Sequence, residues 1–239
     1  MELLKKELKI LKRSIETEFK LTEEELDSLY SVYPFNRFEY IISHLISQNI
    51  IDLPKYLEIR EDYLIRNKFL YIFEISAPRV FGTWGERHLL EKEPQLNKPS
   101  KKFDPEYNGE YDLWMDGIKI EVKASRAVNA NEPTLGMVEK ALNFSSEIEF
   151  NMNFQQLKPK MTDVFVWIGI WTDEIKYWVM SSSEVKNNKY FSNGQHRGNT
   201  GEGQLWITQS NINDFDMYLT KSDQLLKKIK EKSKCYIQS

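Results

Sequence analysis

The chain has almost no cysteine: among its 239 residues only Cys235, near the C-terminus, carries a thiol. A single thiol excludes an intrachain disulfide and any cysteine-rich zinc site, and it favours a reducing, cytoplasmic setting. Long apolar runs are missing too. The N-terminal MELLKKELKILKRS mixes charge with apolar residues at helical spacing, unlike a signal peptide, and no later run is long enough to cross a membrane. Charge of one sign is not in excess. The 33 basic and 36 acidic side chains leave a net charge of −3, which excludes a polybasic tail protein while leaving room for a local basic face. Internal repeats and low-complexity segments are absent. What remains is a chain long enough to bury a substantial core, as one domain with an appended subdomain.

In the first third of the chain, Leu3, Leu4, Leu8, Ile10, Leu11 and Ile15 recur at helical spacing, and Thr22-x-x-Glu25 offers a capping box. Asn36 can cap a further helix through Phe38, Ile41, Ile42, Leu45 and Ile46, with His44 inside its apolar pattern and therefore structural. A fourth periodic segment runs over 56–75, so residues 1–80 read as a helical N-terminal subdomain. Ala77-Pro78 marks a boundary, and Gly82-Thr83-Trp84 leads into a helix that stops before Pro94. Residues 95–108 read as a basic loop. Between 134 and 158 the pattern is mixed: Leu135, Val138 and Leu142 suggest a helix, whereas Phe150, Met152 and Phe154 alternate as in a strand. The run DVFVWIGIW over 163–171 is a buried strand that turns at Thr172-Asp173 into a second strand over 175–180. A long loop over 187–203, a short strand over 204–209 and a terminal helix over 214–234 complete the chain.

The stretch EYDLWMDGIKIEVKAS, residues 110–125, carries the chemistry. Asp116-Gly117 lies between two alternating runs, which is the signature of a two-residue type I′ turn. That turn sets Met115 against Ile118, so the ladder carried outward places Asp112 across from Glu121 and Glu110 across from Lys123. Tyr111, Leu113, Met115, Ile118, Ile120, Val122 and Ala124 then share one face, and Asp112, Glu121 and Lys123 the other. Two carboxylates facing each other repel by up to ~1 kcal/mol. A hard divalent cation relieves that repulsion, because Mg²⁺ takes one or two carboxylates and accepts phosphate oxygens and waters as its other ligands. A lysine on the same face supplies a point charge for a scissile phosphate or the attacking water. The plain alternative is a solvated hairpin face on which Lys119 and Lys123 pair with acids.

Asp112, followed on the next strand by Glu121-Val122-Lys123, resembles the PD-(D/E)xK signature of the restriction-endonuclease-like nucleases, with Tyr111 where the proline of the name would stand. The resemblance covers mainly residues 83–171. It implies an α/β fold: a restriction-endonuclease-like core of mixed central sheet flanked by helices over 81–239, with a helix-containing crossover, behind the helical N-terminal layer. It further implies Asp112 and Glu121 as ligands of Mg²⁺, the Val122 carbonyl as a third ligand, and Lys123 as the catalytic lysine. Glu86 is similar to the acid that some members contribute from the preceding helix, although Thr83-x-x-Glu86 is equally a capping box.

Reading of DNA sequence needs Arg, Lys, Asn or Gln at base edges. Ser125, Arg126 and Asn129 follow the E-x-K strand directly, Gln155, Gln156 and Lys158 can reach phosphates beside the site, and His196, Arg197 and Asn199 lie in the long loop. The resulting expectation is a Mg²⁺-dependent endonuclease of the type II restriction kind, a homodimer on double-stranded DNA. A repair or structure-selective nuclease, and a non-catalytic DNA-binding protein of the same fold, stand as alternatives.

Overall fold

The computed structural model describes residues 46–194 and 202–237. They fall into two compact units that divide between Arg66 and Asn67. In the first, helix α1 (Leu53–Arg66) carries Tyr56 into a small cluster with Ile46, Ile51, Leu53, Leu57 and Ile59. The segments expected to be helical before residue 46, His44 among them, lie outside the described residues.

The second unit is mixed α/β with two sheets. A short helix α2 (Leu70–Phe73) precedes α3 (Pro78–Lys92), then β1 (Leu113–Met115), β2 (Ile118–Arg126), β3 (Val128–Asn129), β4 (Phe150–Leu157), β5 (Val164–Ile170) and β6 (Ile175–Ser181). Helix α4 (Ser182–Lys186), β7 (Phe191–Asn193), β8 (Gly203–Thr208), a 3₁₀ segment Ile212–Tyr218, β9 (Leu219–Thr220) and α5 (Leu225–Ile237) follow. One sheet has the order β1-β2-β5-β6-β9, with β2 and β5 parallel and the other pairs antiparallel; the second has the order β3-β4-β8-β7. Among the described residues no helix is long and apolar enough to cross a membrane.

The two sheets share one core. Phe150, Met152, Phe154 and Leu157 alternate along β4 and meet Phe165, Trp167 and Trp178 of the first sheet, with Leu205 and Ile207 of β8 beside them. Phe154 and Trp167 meet edge to face at 4.8 Å, the geometry that aromatic quadrupoles favour. Strand β5 is buried at every position, as the apolar run over 163–171 requires of a central strand.

Several sequence expectations are corrected. Pro78 stands in the first turn of α3 behind Ala77, so Thr83 is interior to the helix; its hydroxyl donates to the Arg79 and Val80 carbonyls, and Thr83–Glu86 is no capping box. The segment over 134–142 makes turns instead of a helix. Tertiary pairing wins there: the Asn129 N–H goes to the Lys140 carbonyl, the Leu142 N–H to the Ala127 carbonyl, and Gly136 weakens helical propensity. The crossover from β2 to its parallel partner β5 therefore carries β3 and β4 and, among the described residues, no helix. The periodic segment over 56–75 is broken into α1 and α2, and the terminal helix starts at Leu225, because Phe215 and Tyr218 are drawn into the core by the 3₁₀ segment and β9 pairs with β6.

Gly169 lets β5 approach its neighbours: a Cβ there would stand 2.6 Å from the Trp178 ring and 3.1 Å from Met152 Sδ. Replacing Gly169 by alanine is expected to cost about 1–3 kcal/mol of unfolding free energy through overpacking. Urea denaturation measures this, and an unchanged midpoint would show that the two sheets do not pack as described.

Candidate active site

The hairpin turn is as the sequence demands. Asp116 and Gly117 both have positive φ, 51° and 88°, and Met115 faces Ile118, Trp114 faces Lys119, and Leu113 faces Ile120. The ladder then stops one residue short of the expected pairing. Asp112 precedes β1 and sends its N–H to the Ile120 carbonyl (3.0 Å), while its Oδ2 accepts the Val122 N–H (2.8 Å). Asp112 is thus hooked onto β2 beside Glu121 without being its ladder partner. Glu110, expected opposite Lys123, instead accepts the Asn108 N–H.

Beyond Ile120 no strand among the described residues pairs with the β1 side of β2. Backbone polar groups alternate sides along a strand, and Ile120 turns its carbonyl to Asp112, so Val122 presents both its N–H and its carbonyl to this open edge. The edge forms the floor of a cleft of ≈620 Å³. One wall is α3, which lies against Val122 and Ala124 through Gly85 and contributes Glu86; the other is the outward face of β4 with Trp206 of β8.

Parallel pairing of Glu121 with Phe165 and Lys123 with Trp167 turns both charged side chains toward the interior between the sheets. The face expected to be merely charged is in fact buried, with Glu121 only 5% exposed. Lys123 Nζ stands 2.6 Å from Glu121 Oε1. Burial pushes the Glu121 carboxyl up to about 7 against the pull of Lys123, with Asp112 adding to the rise. Burial likewise raises Asp112, opposed by Lys123 and by the Val122 N–H. Glu86 is raised by burial and then by Asp112. For Lys123 burial works against the charge, but Glu121, Asp112 and Glu86 outweigh it and hold the ammonium above its ordinary range.

Were all three carboxyls ionised, they would exceed the one ammonium by two negative charges in a poorly solvated place, which is why burial holds each of them above the ordinary carboxylate range. Lys158 feels Asp112 and Glu121 but is paired with Glu202 at 3.4 Å. Among the described residues no three His, Cys, Asp or Glu side chains stand close enough to cage a metal by themselves. The donor set that could hold a divalent cation is therefore Asp112, Glu121 and the Val122 carbonyl, completed by water, which is how Mg²⁺ is bound when few protein ligands are offered.

The remaining expected site residues are dispersed. Ser125 and Gln156 line the cleft, Gln156 at φ 58° in a register shift of β4. Arg126 also borders it, but its Nη1 donates to the carbonyls of Ile72 (3.2 Å), Phe73 (3.4 Å) and Ile75 (2.9 Å), its guanidinium stacks on Phe81 at 4.0 Å, and burial lowers it to about 10. That placement makes Arg126 a clamp on the end of α2. Asn129 lies outside the cleft lining, its side chain closing a turn on the Asn131 N–H. His196, Arg197 and Asn199 lie outside the described residues. The sequence reading passed over Asn151, Asn153 and Trp206, although the alternation over 150–157 already separated a polar face from the apolar one.

No family model, curated protein or solved structure matches this chain.

A carboxyl that keeps its proton to about pH 7 when folded, against 4.5 for the ordinary group, makes folding favourable below 4.5 and loses that contribution as pH rises through 7. In EDTA, urea stability is expected to fall between pH 5 and pH 8 by at most about 3 kcal/mol from this group, and Glu121→Gln should flatten that part of the slope. Equal slopes in the two proteins would contradict the burial of an ionisable Glu121.

Proposed function

We propose that the protein is a Mg²⁺-dependent endonuclease that hydrolyses phosphodiester bonds of double-stranded DNA at a short specific sequence, in the manner of the type II restriction enzymes that its E-x-K strand resembles. The observation that carries the reading is the pair of carboxylates, half-buried Asp112 and buried Glu121, beside Lys123 on β2. The order α3 with Glu86, the Asp112 hairpin, the Glu121–Lys123 strand and the parallel β5 supports a restriction-endonuclease-like core, with β3 and β4 in the crossover where that family resemblance implied a helix.

In this reading Asp112, Glu121 and the Val122 carbonyl would hold the cation, and the chemistry it would supply there is Lewis-acid stabilisation of phosphoryl oxygens and activation of water. Lys123 works as an ammonium. Its carboxylate neighbours keep it protonated, so it stabilises developing negative charge on the phosphate and does not accept a proton. Asp112 positions the Val122 backbone through the 2.8 Å hydrogen bond. Glu86 adds negative charge from α3 and strengthens the demand for a cation. One such site per chain cuts one strand, so double-strand cleavage calls for a homodimer with two-fold symmetry. A cytoplasmic location suits the single thiol.

Lys123→Ala is expected to lower the cleavage rate by about 10²- to 10³-fold or more while DNA binding measured in Ca²⁺ survives. Full cleavage by that variant, or cleavage by the native protein in EDTA, would overturn the mechanism.

A further inference from the structure

We infer that the outward face of β4, with Trp206 of β8, is the surface that reads base edges of the DNA; this rests on the nuclease reading above. Strand β4 has the sequence FNMNFQQL, and its apolar alternates are consumed by the core. Asn151, Asn153, Gln155 and Gln156 are left on the other side, all lining the cleft that also holds Asp112 and Lys123. Trp206 pairs directly with Asn153 across the ladder and so shares its face. Strict alternation would send Gln156 into the interior. The register shift between Phe154 and Leu157 and the left-handed backbone of Gln156 keep both glutamines exposed instead, a device common beside active sites.

The chemistry of this wall differs from that of the floor. In a chain in which 29% of residues are charged, these five side chains are amides and an indole without a charge among them. Charged groups serve phosphates, which carry no sequence information. An amide offers one donor and one acceptor side by side, the pattern that pairs with N6 and N7 of adenine in the major groove. Alternate residues of a strand recur at about 6.8 Å, and base pairs rise by about 3.4 Å, so Asn151, Asn153 and Gln155 fall in step with every second base pair. Trp206, 38% exposed, supplies an apolar surface in the middle of the row, suited to a thymine methyl.

The test is selection of bound duplexes from a random DNA pool in Ca²⁺, with the native protein, Asn153→Ala and, at an exposed position, Gln155→Ala. Melting curves establish that each variant is folded. The native protein is expected to enrich a short motif containing A·T pairs; each variant should lose roughly 5- to 150-fold of preference at one A·T position, the equivalent of one bidentate contact, with affinity for random DNA unchanged. An enriched motif identical in all three proteins, or none from the native protein, would overturn the inference. Cleavage of plasmid DNA by the same native preparation in Mg²⁺ is scored separately: cutting with an unaltered motif defeats only the assignment of the reading face, whereas binding with a β4-dependent motif and no cutting defeats only the nuclease chemistry.

Discussion

The Asp116-Gly117 turn decides where Asp112 meets β2. Positive φ at both residues closes the hairpin in two residues and fixes Met115 on Ile118; a shift by one would take Asp112 away from the Val122 N–H, while pairing of β2 with β5 turns Glu121 and Lys123 toward the interior between the sheets. The turn is also held from outside, since Lys230 of α5 reaches Asp116 at 3.2 Å. With the register fixed, β1 ends at Leu113 while β2 continues to Arg126, and the unpaired edge that results is the floor of the cleft. Asp112 covers part of that edge by taking the Val122 N–H. The carboxylates are thus placed by backbone geometry, and their elevated pKa values follow from where the backbone puts them.

Much of this was legible in the residues. The DG turn, the buried strand over 163–171 and the alternation of Phe150, Met152 and Phe154 rest on local rules, and the structure follows them. What could not be read was decided by distant partners. The polar tail of β2 looked like a base contact in Arg126, but three carbonyls at the end of α2 and the Phe81 ring claim that guanidinium. Helical spacing in Leu135, Val138 and Leu142 lost to pairing with Ala127 and Asn129. The facing of Asp112 and Glu121 was half right: the two are electrostatically coupled, yet through a hook onto Val122 instead of a ladder pair.

The cleft combines two unlike walls on one floor. Glu86 and Asp112 border it on the α3 side with Glu121 near them, acids that a proton or a cation can neutralise, and its β4 wall collects uncharged hydrogen-bonding groups. Binding of a polyanion to the first without help would be opposed, because Lys158 is already paired and Lys123 is outnumbered by its carboxylate neighbours. In the proposed reading, cation and DNA bind together, each compensating the charge of the other.

Whether Asp112 and Glu121 serve to cut DNA with a bound divalent ion, as proposed, is decided by incubating a DNA of known sequence with the protein in Mg²⁺, with an EDTA control, and sequencing the ends. Discrete fragments whose ends share one short sequence, formed only with Mg²⁺, are the predicted result. DNA left intact in Mg²⁺ by folded protein, across a set of substrates rich in different short sequences, would contradict the account.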